Sequence, residues 1–355
     1  MPSAKPPTLV LLAAGMSTRY GRLKQLEPVG PEGEALLDYS VFDARRAGVR
    51  RILLIIREEL REAFEAHTRD RWPRDLEIAY HYQRLEDLPG LDLELSGFRS
   101  VPEAVEARTK PWGTAHALFT ARGKLPGPFM VLNADDFYGE SAFFMAAGLV
   151  GTVLGHDEDA TSGNGEGTAG FGFAQIGGSP GPTFGLVTYT LRETLSPHGG
   201  VNRGVCEVDV HGSLGRIREI LDIRPGGDVP DRGGNPKDGR PPGLVGRTVE
   251  GQILGLTGDE PISTNFWIFT PDVFPLLQGA FREFMGEVVQ NPEGQPEFLI
   301  PPVVNGFLKD GRGRVQCVST HSRFLGITHP EDRQGVVDGL EEMTAAGDYP
   351  RPLWT

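Results

Sequence analysis

The chain has 355 residues, 39% of them apolar, which is enough for a sizeable core, yet no run approaches the ~20 apolar residues that would span a bilayer. Its formal charge of −13 argues against a nucleic-acid backbone as partner, because phosphate tracking needs a basic face. Two cysteines, Cys206 and Cys317, cannot build a disulfide framework and no Cys/His cluster has zinc spacing, so a reducing cytoplasm is the expected location.

The opening MPSAKPPTLVLLAAG imitates a signal sequence, but it leads into a polar loop and a continuing α/β pattern. TLVLLAA is therefore read as a first core strand of the kind buried on both faces of a parallel sheet. ALLDYSVFDARRAG places Leu37, Val41, Ala44 and Ala47 on one helical face and stops at Gly48. RILLII is a second buried strand, followed by a charged helix from about Glu58, and LEIAYHYQ is a third strand. GTAHALFTARG reads as a helix capped by Thr114, and PFMVLNADDFYG as a fourth strand running into a carboxylate pair. Repeated βα units with short joins predict an α/β fold with a doubly wound, mostly parallel, Rossmann-like sheet, with ligands outside the carboxyl ends of its strands.

The second half is less regular and predicts a smaller, β-rich portion. Segments 156–182 and 224–251 are Gly-rich, poor in apolar residues, and read as surface insertions. Between them GVCEVDVHGSLGRIREI predicts two strands turning at Gly212. PISTNFWIFTPDVF is a strand entering a helix near Pro271, and HPEDRQGVVDGLEEMTAAG an amphipathic helix closed by Gly347. With no internal repeat, residues 1–355 are read as one domain, divided by pattern into a regular half, 1–140, and an irregular half, 141–355. The sequence assigns no oligomeric state.

An acidic chain that packs Arg19, Arg22 and Lys24 into one loop after a buried strand is equipped for a small anionic ligand at one place. It is not a Walker A loop, since five residues rather than four lie between Gly15 and Gly21 and Arg22 follows, and the G-x-G-x-x-G dinucleotide fingerprint is absent. Leu12-Ala13-Ala14-Gly15-Met16-Ser17-Thr18-Arg19, followed by Lys24-Gln25, resembles the opening of the sugar-phosphate nucleotidyltransferase family, of the glucose-1-phosphate thymidylyltransferase and uridylyltransferase type. It also looks like the related cytidylyltransferases of isoprenoid and molybdopterin metabolism, of which the latter are typically much shorter.

The resemblance implies attack of a sugar-1-phosphate oxygen on the α-phosphorus of a pyrimidine NTP, UTP or dTTP, with release of pyrophosphate and a requirement for Mg²⁺. It implies that Arg19 serves the leaving pyrophosphate, that Lys24 serves the attacking side, and that Asp135 binds the metal with Asp136 beside it. Ala13, Ala14, Gly15, Met16, Ser17 and Thr18 would line the phosphates, with Gly113, Thr114 and Gln83 at the base. The Gln83 amide would donate to O4 and accept from N3–H. Gly204, Glu219 and Asn265 would contact the sugar, while Glu297 fits the family's layout but is read as structural.

Two departures stand out. Ile220 follows Glu219 where the family usually has lysine, and Gly326 stands where many members place a second metal-binding aspartate, with Asp332 in the first turn of the next helix. They open a second reading, a regulatory protein that binds a sugar nucleotide without turning it over. Retention of Arg19, Lys24 and Asp135 favours the enzyme. The partners expected are an NTP and a sugar-1-phosphate, with neither nucleic acid nor membrane.

Overall fold

A computed structural model describes residues 6–15, 18–19, 22–91, 105–106, 108–154, 181–226 and 243–354. The apolar run at the start forms β1 (Thr8–Leu12), and alternation of its side chains decides the architecture. Leu9 and Leu11 face one layer of core while Val10 faces the other. β2 (Arg51–Ile56) and β4 (Phe129–Asn133) flank β1 in parallel, and β3 (Glu77–Tyr82) extends the sheet beyond β2.

Helices cover both faces, as parallel strands require. α1 (Leu36–Arg46), α2 (Arg61–Arg71) and α4 (Glu140–Val153) pack on one side. α3 (Thr114–Thr120), α5 (Val273–Gln290) and α6 (Ile300–Lys309) pack on the other. Each buried Leu, Val, Ile or Phe in these layers contributes about 1.5–3 kcal/mol relative to exposure.

The remaining strands are β5 (Thr183–Thr190), β6 (Val201–Val208), β7 (Leu214–Pro225), β8 (Leu244–Thr248), β9 (Ile253–Leu256), β10 (Pro261–Phe269) and β11 (Arg314–Ser319). One eleven-stranded sheet results, in the order β9-β8-β7-β6-β10-β4-β1-β2-β3, with β5 on β10 and β11 on β5. Its second part is antiparallel apart from the β5–β11 pair. The sheet forks along β10. Ile262 and Ser263 pair with β6, the register shifts, and Trp267–Phe269 pair with β4 instead. At the fork Asn265 takes φ 63°, and the buried Tyr138 hydroxyl accepts from Asn133 N–H (3.1 Å) and donates to Thr264 O (3.0 Å).

Two local expectations are corrected. Thr114 is the first helical residue rather than the cap; the N-cap position is Gly113, and Thr114 Oγ1 instead accepts from Ile300 N–H. The segment 224–251 is not wholly an insertion: Arg224 and Pro225 end β7, and Leu244–Thr248 form β8, paired on both edges. Residues 227–242, and all but the last two residues of 156–182, lie outside the described residues. The turn at Gly212 (φ 80°) and the stop at Gly347 (φ 87°) are as the sequence predicts. No helix among the described residues is long and apolar enough to cross a membrane.

A third cluster seats the last helix, α7 (Asp332–Ala346), and the C-terminal residues Tyr349 and Leu353 against α1. Here the Tyr349 hydroxyl donates to the buried Asp43 carboxyl (2.7 Å), whose other oxygen has no hydrogen bond. Burial pushes the Asp43 carboxyl up to about 7, against the opposing pull of the Tyr349 bond and Arg46. The unfolded chain releases this proton at about pH 4. The native state therefore binds more protons than the unfolded chain between about pH 4 and about pH 7, and stability falls as pH rises through that window. Asp43→Asn removes the dependence, so thermal unfolding is expected to show the variant gaining on the wild type at pH 8 compared with pH 5. A difference that is constant with pH would contradict this account.

Candidate active site

The parallel register puts Leu12 beside Asn133, so the loop after β1 and the turn after β4 emerge side by side at the carboxyl edge of the sheet. Ala134 N–H donates to Leu12 O and Ala13 N–H to Ile55 O, which fixes both exits. Ala13 and Ala14 are buried, and their small side chains allow the loop to hug the sheet. Gly15 is exposed, and its carbonyl accepts from the buried Gln25 amide (3.3 Å). Lys24 opens a short 3₁₀ turn, and its Nζ donates to Asp135 Oδ2 at 2.6 Å across 111 positions of sequence. Met16 and Ser17 lie outside the described residues, as do the side chains of Thr18 and Arg19.

A cavity of about 510 Å³, large enough for a nucleotide, is bordered by Leu12, Ala14, Gly15, Gln25 and Asp135 together with Gln83, Gly113 and Thr114. Lys24 is tied to it through its bond to Asp135. Gly113 sits at φ 110°, and a Cβ there would meet Phe298 O at 2.5 Å. That approach lets Ala115 N–H and Phe298 N–H tie the two segments together, onto Phe298 O and Trp112 O.

Gln83 is locked by a hydrogen-bond relay. Its Nε2 donates to Gly113 O (3.1 Å) and approaches His116 Nδ1 (3.0 Å), while His116 Nε2 lies 2.6 Å from Asp87 O. A carbonyl only accepts, so His116 carries its proton on Nε2 and its Nδ1 receives the Gln83 N–H. Burial pulls the His116 ring down to about 4, in keeping with a neutral imidazole. Both Gln83 N–H groups are therefore spent. The expectation that this amide donates to a base O4 is corrected: its Oε1 remains to accept a base N–H.

Sequence reasoning also missed the far wall. Glu297, read as structural, borders the cavity with Leu299, Lys110 and Pro111. The buried Arg108 holds this wall, donating to Lys110 O, Pro111 O and Pro296 O while its guanidinium lies 4.0 Å from the Trp112 ring centre. Only the PEF run signalled Glu297, and nothing local signalled Leu299.

A second, polar cavity of about 170 Å³ adjoins the first at Asn133 and Asn265, which border both. It collects Gly204, Glu219 and Asn265, three residues expected on the sugar side, together with Asp136 and Arg203. Gly204 pairs with Glu219 across the β6–β7 ladder, and a Cβ on Gly204 would strike Ile217 Cγ2 at 2.8 Å. Ile220, where lysine was expected, is buried core and pairs with Arg203.

Asp136, in the two-residue strand Asp136–Phe137 that follows the turn after β4, faces this second cavity and accepts from Asn133 Nδ2 (3.0 Å). Burial, then the Asp135 charge, push its carboxyl up to about 6, with the Asn133 bond, Lys24 and Arg203 opposing. Gly326 pairs with Asp136, and a Cβ at 326 would lie 2.9 Å from Asp136 Oδ1. A carboxylate at 326 would thus crowd a third negative group onto Asp135 and Asp136. Asp332 instead accepts from Ser196 Oγ and from Thr328 and His329 N–H, closing the turn before α7.

Gly113→Ala is expected to destabilise the protein by roughly 3 kcal/mol, since its φ suits only glycine and the Cβ meets a backbone oxygen. Chemical denaturation gives the test; a change under about 1 kcal/mol would contradict the close approach.

Residues 9–84 match the model of the MobA-like NTP transferase domain. No curated protein matches the sequence. Among solved structures, the inositol-1-phosphate CTP transferase of T. maritima aligns with a TM-score of 0.52 at 13% identity, over 95% of this chain and 96% of that one. A Bacillus anthracis protein described as a putative glucose-1-phosphate thymidylyltransferase, solved with sucrose, aligns with a TM-score of 0.53 at 12% identity, over 95% of each chain. Over residues 9–84 the chain thus resembles the MobA-like NTP transferase domain, and along nearly its whole length it has the fold that these two structures share.

Proposed function

We propose that the protein is a nucleotidyltransferase that moves a nucleoside monophosphate from a pyrimidine NTP to a sugar-1-phosphate. The observation that carries this reading is Lys24 paired with Asp135, a residue that lines the nucleotide-sized cavity near its junction with the smaller polar one. An acceptor phosphate oxygen attacks the α-phosphorus, the bond to the bridging oxygen breaks, and pyrophosphate leaves with the electron pair. Both reactants are anionic, so catalysis is chiefly alignment and charge neutralisation. The residues before Asp136 supply most of the donor cavity, with Asn265, Glu297 and Leu299 closing it, and residues from β6, β7 and β10 hold the acceptor.

Lys24 is the mobile cation of the site, a point charge on a long stem that swings from Asp135 to phosphate oxygens. Arg19 serves the departing pyrophosphate. The reading implies Mg²⁺, and the donor set fits it: Asp135 and its neighbours offer hard oxygen, and no group of three or more His, Cys, Asp or Glu forms a metal cage among the described residues. Magnesium commonly binds through one or two carboxylates, with substrate phosphates and water completing its shell. When bound at Asp135 it would neutralise charge on the reacting phosphates. The two cysteines are free and buried, which accords with a cytoplasmic protein.

Gln83 Oε1 accepts from N3–H of uracil or thymine, or from the amino group of cytosine, so CTP joins UTP and dTTP as a donor; purines also carry N–H donors, and the pyrimidine preference rests on the family resemblance. Pyrophosphate release measured with Mg²⁺ over all common NTPs and a set of sugar-1-phosphates is expected to single out a pyrimidine nucleotide. No turnover with any pair, alongside tight binding of a sugar nucleotide, would favour the regulatory reading. Lys24→Ala is expected to lower kcat by about 10²–10³. A variant of near-wild-type activity would remove Lys24 from the mechanism. Gln83→Ala is expected to narrow the kcat/KM ratio of the best pyrimidine to GTP by about tenfold. An unchanged ratio would show that the base is read elsewhere.

A further inference from the structure

The acceptor cavity holds a cation that the proposed transfer leaves unused. Arg203, at the β6 edge of the fork, is largely buried and borders both this cavity and a neighbouring one of about 160 Å³. Its guanidinium is fixed by Nε donating to Thr194 Oγ1 (3.1 Å), Nη2 to Thr194 O, and Nη1 to Asn202 O (2.9 Å), with Phe324 beneath it at 5.7 Å. All three acceptors are neutral oxygens. Among the described residues no carboxylate comes within ion-pair distance, although Asp136, Glu219 and Asp332 surround the group further out. Among the described residues, one N–H on each terminal nitrogen is left without a protein acceptor.

A buried cation without contact to an anion is costly, and the remedy is an anionic ligand with paired oxygens. We propose that Arg203 is the residue that receives the phosphate of the acceptor, through those two free N–H groups. The position suits that role, because the cavity meets the nucleotide cavity at Asn133 and Asn265, and Asp136 lines the same space. Arg203 then faces the acceptor phosphate from the sheet side while Lys24 reaches the reacting centre from the β1 loop. Glu219, opposite Gly204 in the ladder, is left for the hydroxyls of the sugar. This inference rests on the nucleotidyltransferase reading for the identity of its ligand, but the anion site itself stands on the geometry.

The test uses the full chain with Arg203→Gln and Arg203→Lys, which keep the polar contacts to Thr194 better than alanine, and thermal unfolding to confirm that each is folded. With the acceptor found in the substrate panel, Arg203→Gln is expected to raise the acceptor KM at least tenfold and leave the NTP KM within twofold. Arg203→Lys is expected to recover part of the loss. If both KM values move together, or neither moves, the assignment is overturned.

A second readout needs no turnover. Inorganic phosphate is expected to raise the melting temperature of the wild type and of Lys24→Ala, and to give Arg203→Gln less than half of that shift. Equal protection of Arg203→Gln overturns the inference. A wild type that is protected by phosphate through Arg203 but transfers no nucleotide retains the anion site and discards the nucleotidyltransferase reading.

Discussion

The site depends on the register in which β1 lies between β2 and β4. Because all three run the same way, their ends arrive at one edge. There the backbone leaves Leu12 and Asn133 as neighbours, held by the Ala134–Leu12 hydrogen bond. A shift of one residue would turn Leu9 and Leu11 into the opposite core layer and carry the loop bearing Lys24 away from Asp135. The apolar alternation that stabilises the fold is therefore also what sets the distance between the lysine and the carboxylate.

Around that edge the charges are spaced to receive anions rather than to satisfy one another. Lys24 has a carboxylate partner that a phosphate can replace; among the described residues Arg203 hydrogen-bonds only neutral oxygens, with three carboxylates further out. Gly326 keeps a further carboxylate away from Asp136, whose carboxyl is already held above the usual carboxylate range by burial and by Asp135. An overall charge of −13 thus coexists with cations placed at a pair of cavities, as the proposed binding of triphosphate and sugar phosphate requires.

The strands around the site were legible because apolar runs such as Leu9–Leu12 and Ile52–Ile56 allow few other structures. The strand-end carboxylates and the Lys24 loop were legible because their residue types are unusual where they stand. Three features were not. Gln83 could be placed at a strand end, but which of its amide atoms stays free depends on His116, a helix residue 33 positions away. Glu297 and Leu299 reach the nucleotide cavity only because Gly113 admits the Phe298 backbone, a contact with no local signature. Leu244–Thr248 was hidden because edge pairing, rather than its own apolar content, makes it a strand.

The fork in the sheet has a consequence for how the two reactants meet. Donor and acceptor cavities lie on either side of one point, where β10 leaves β6 for β4 and the Tyr138 hydroxyl clamps Asn133 to Thr264. Their separation is written into main-chain hydrogen bonds of a continuous sheet, not into a hinge between lobes. In the proposed reaction, the cost of arranging the two binding surfaces is met once, when the chain folds, so that each turnover loses only the entropy of binding the substrates.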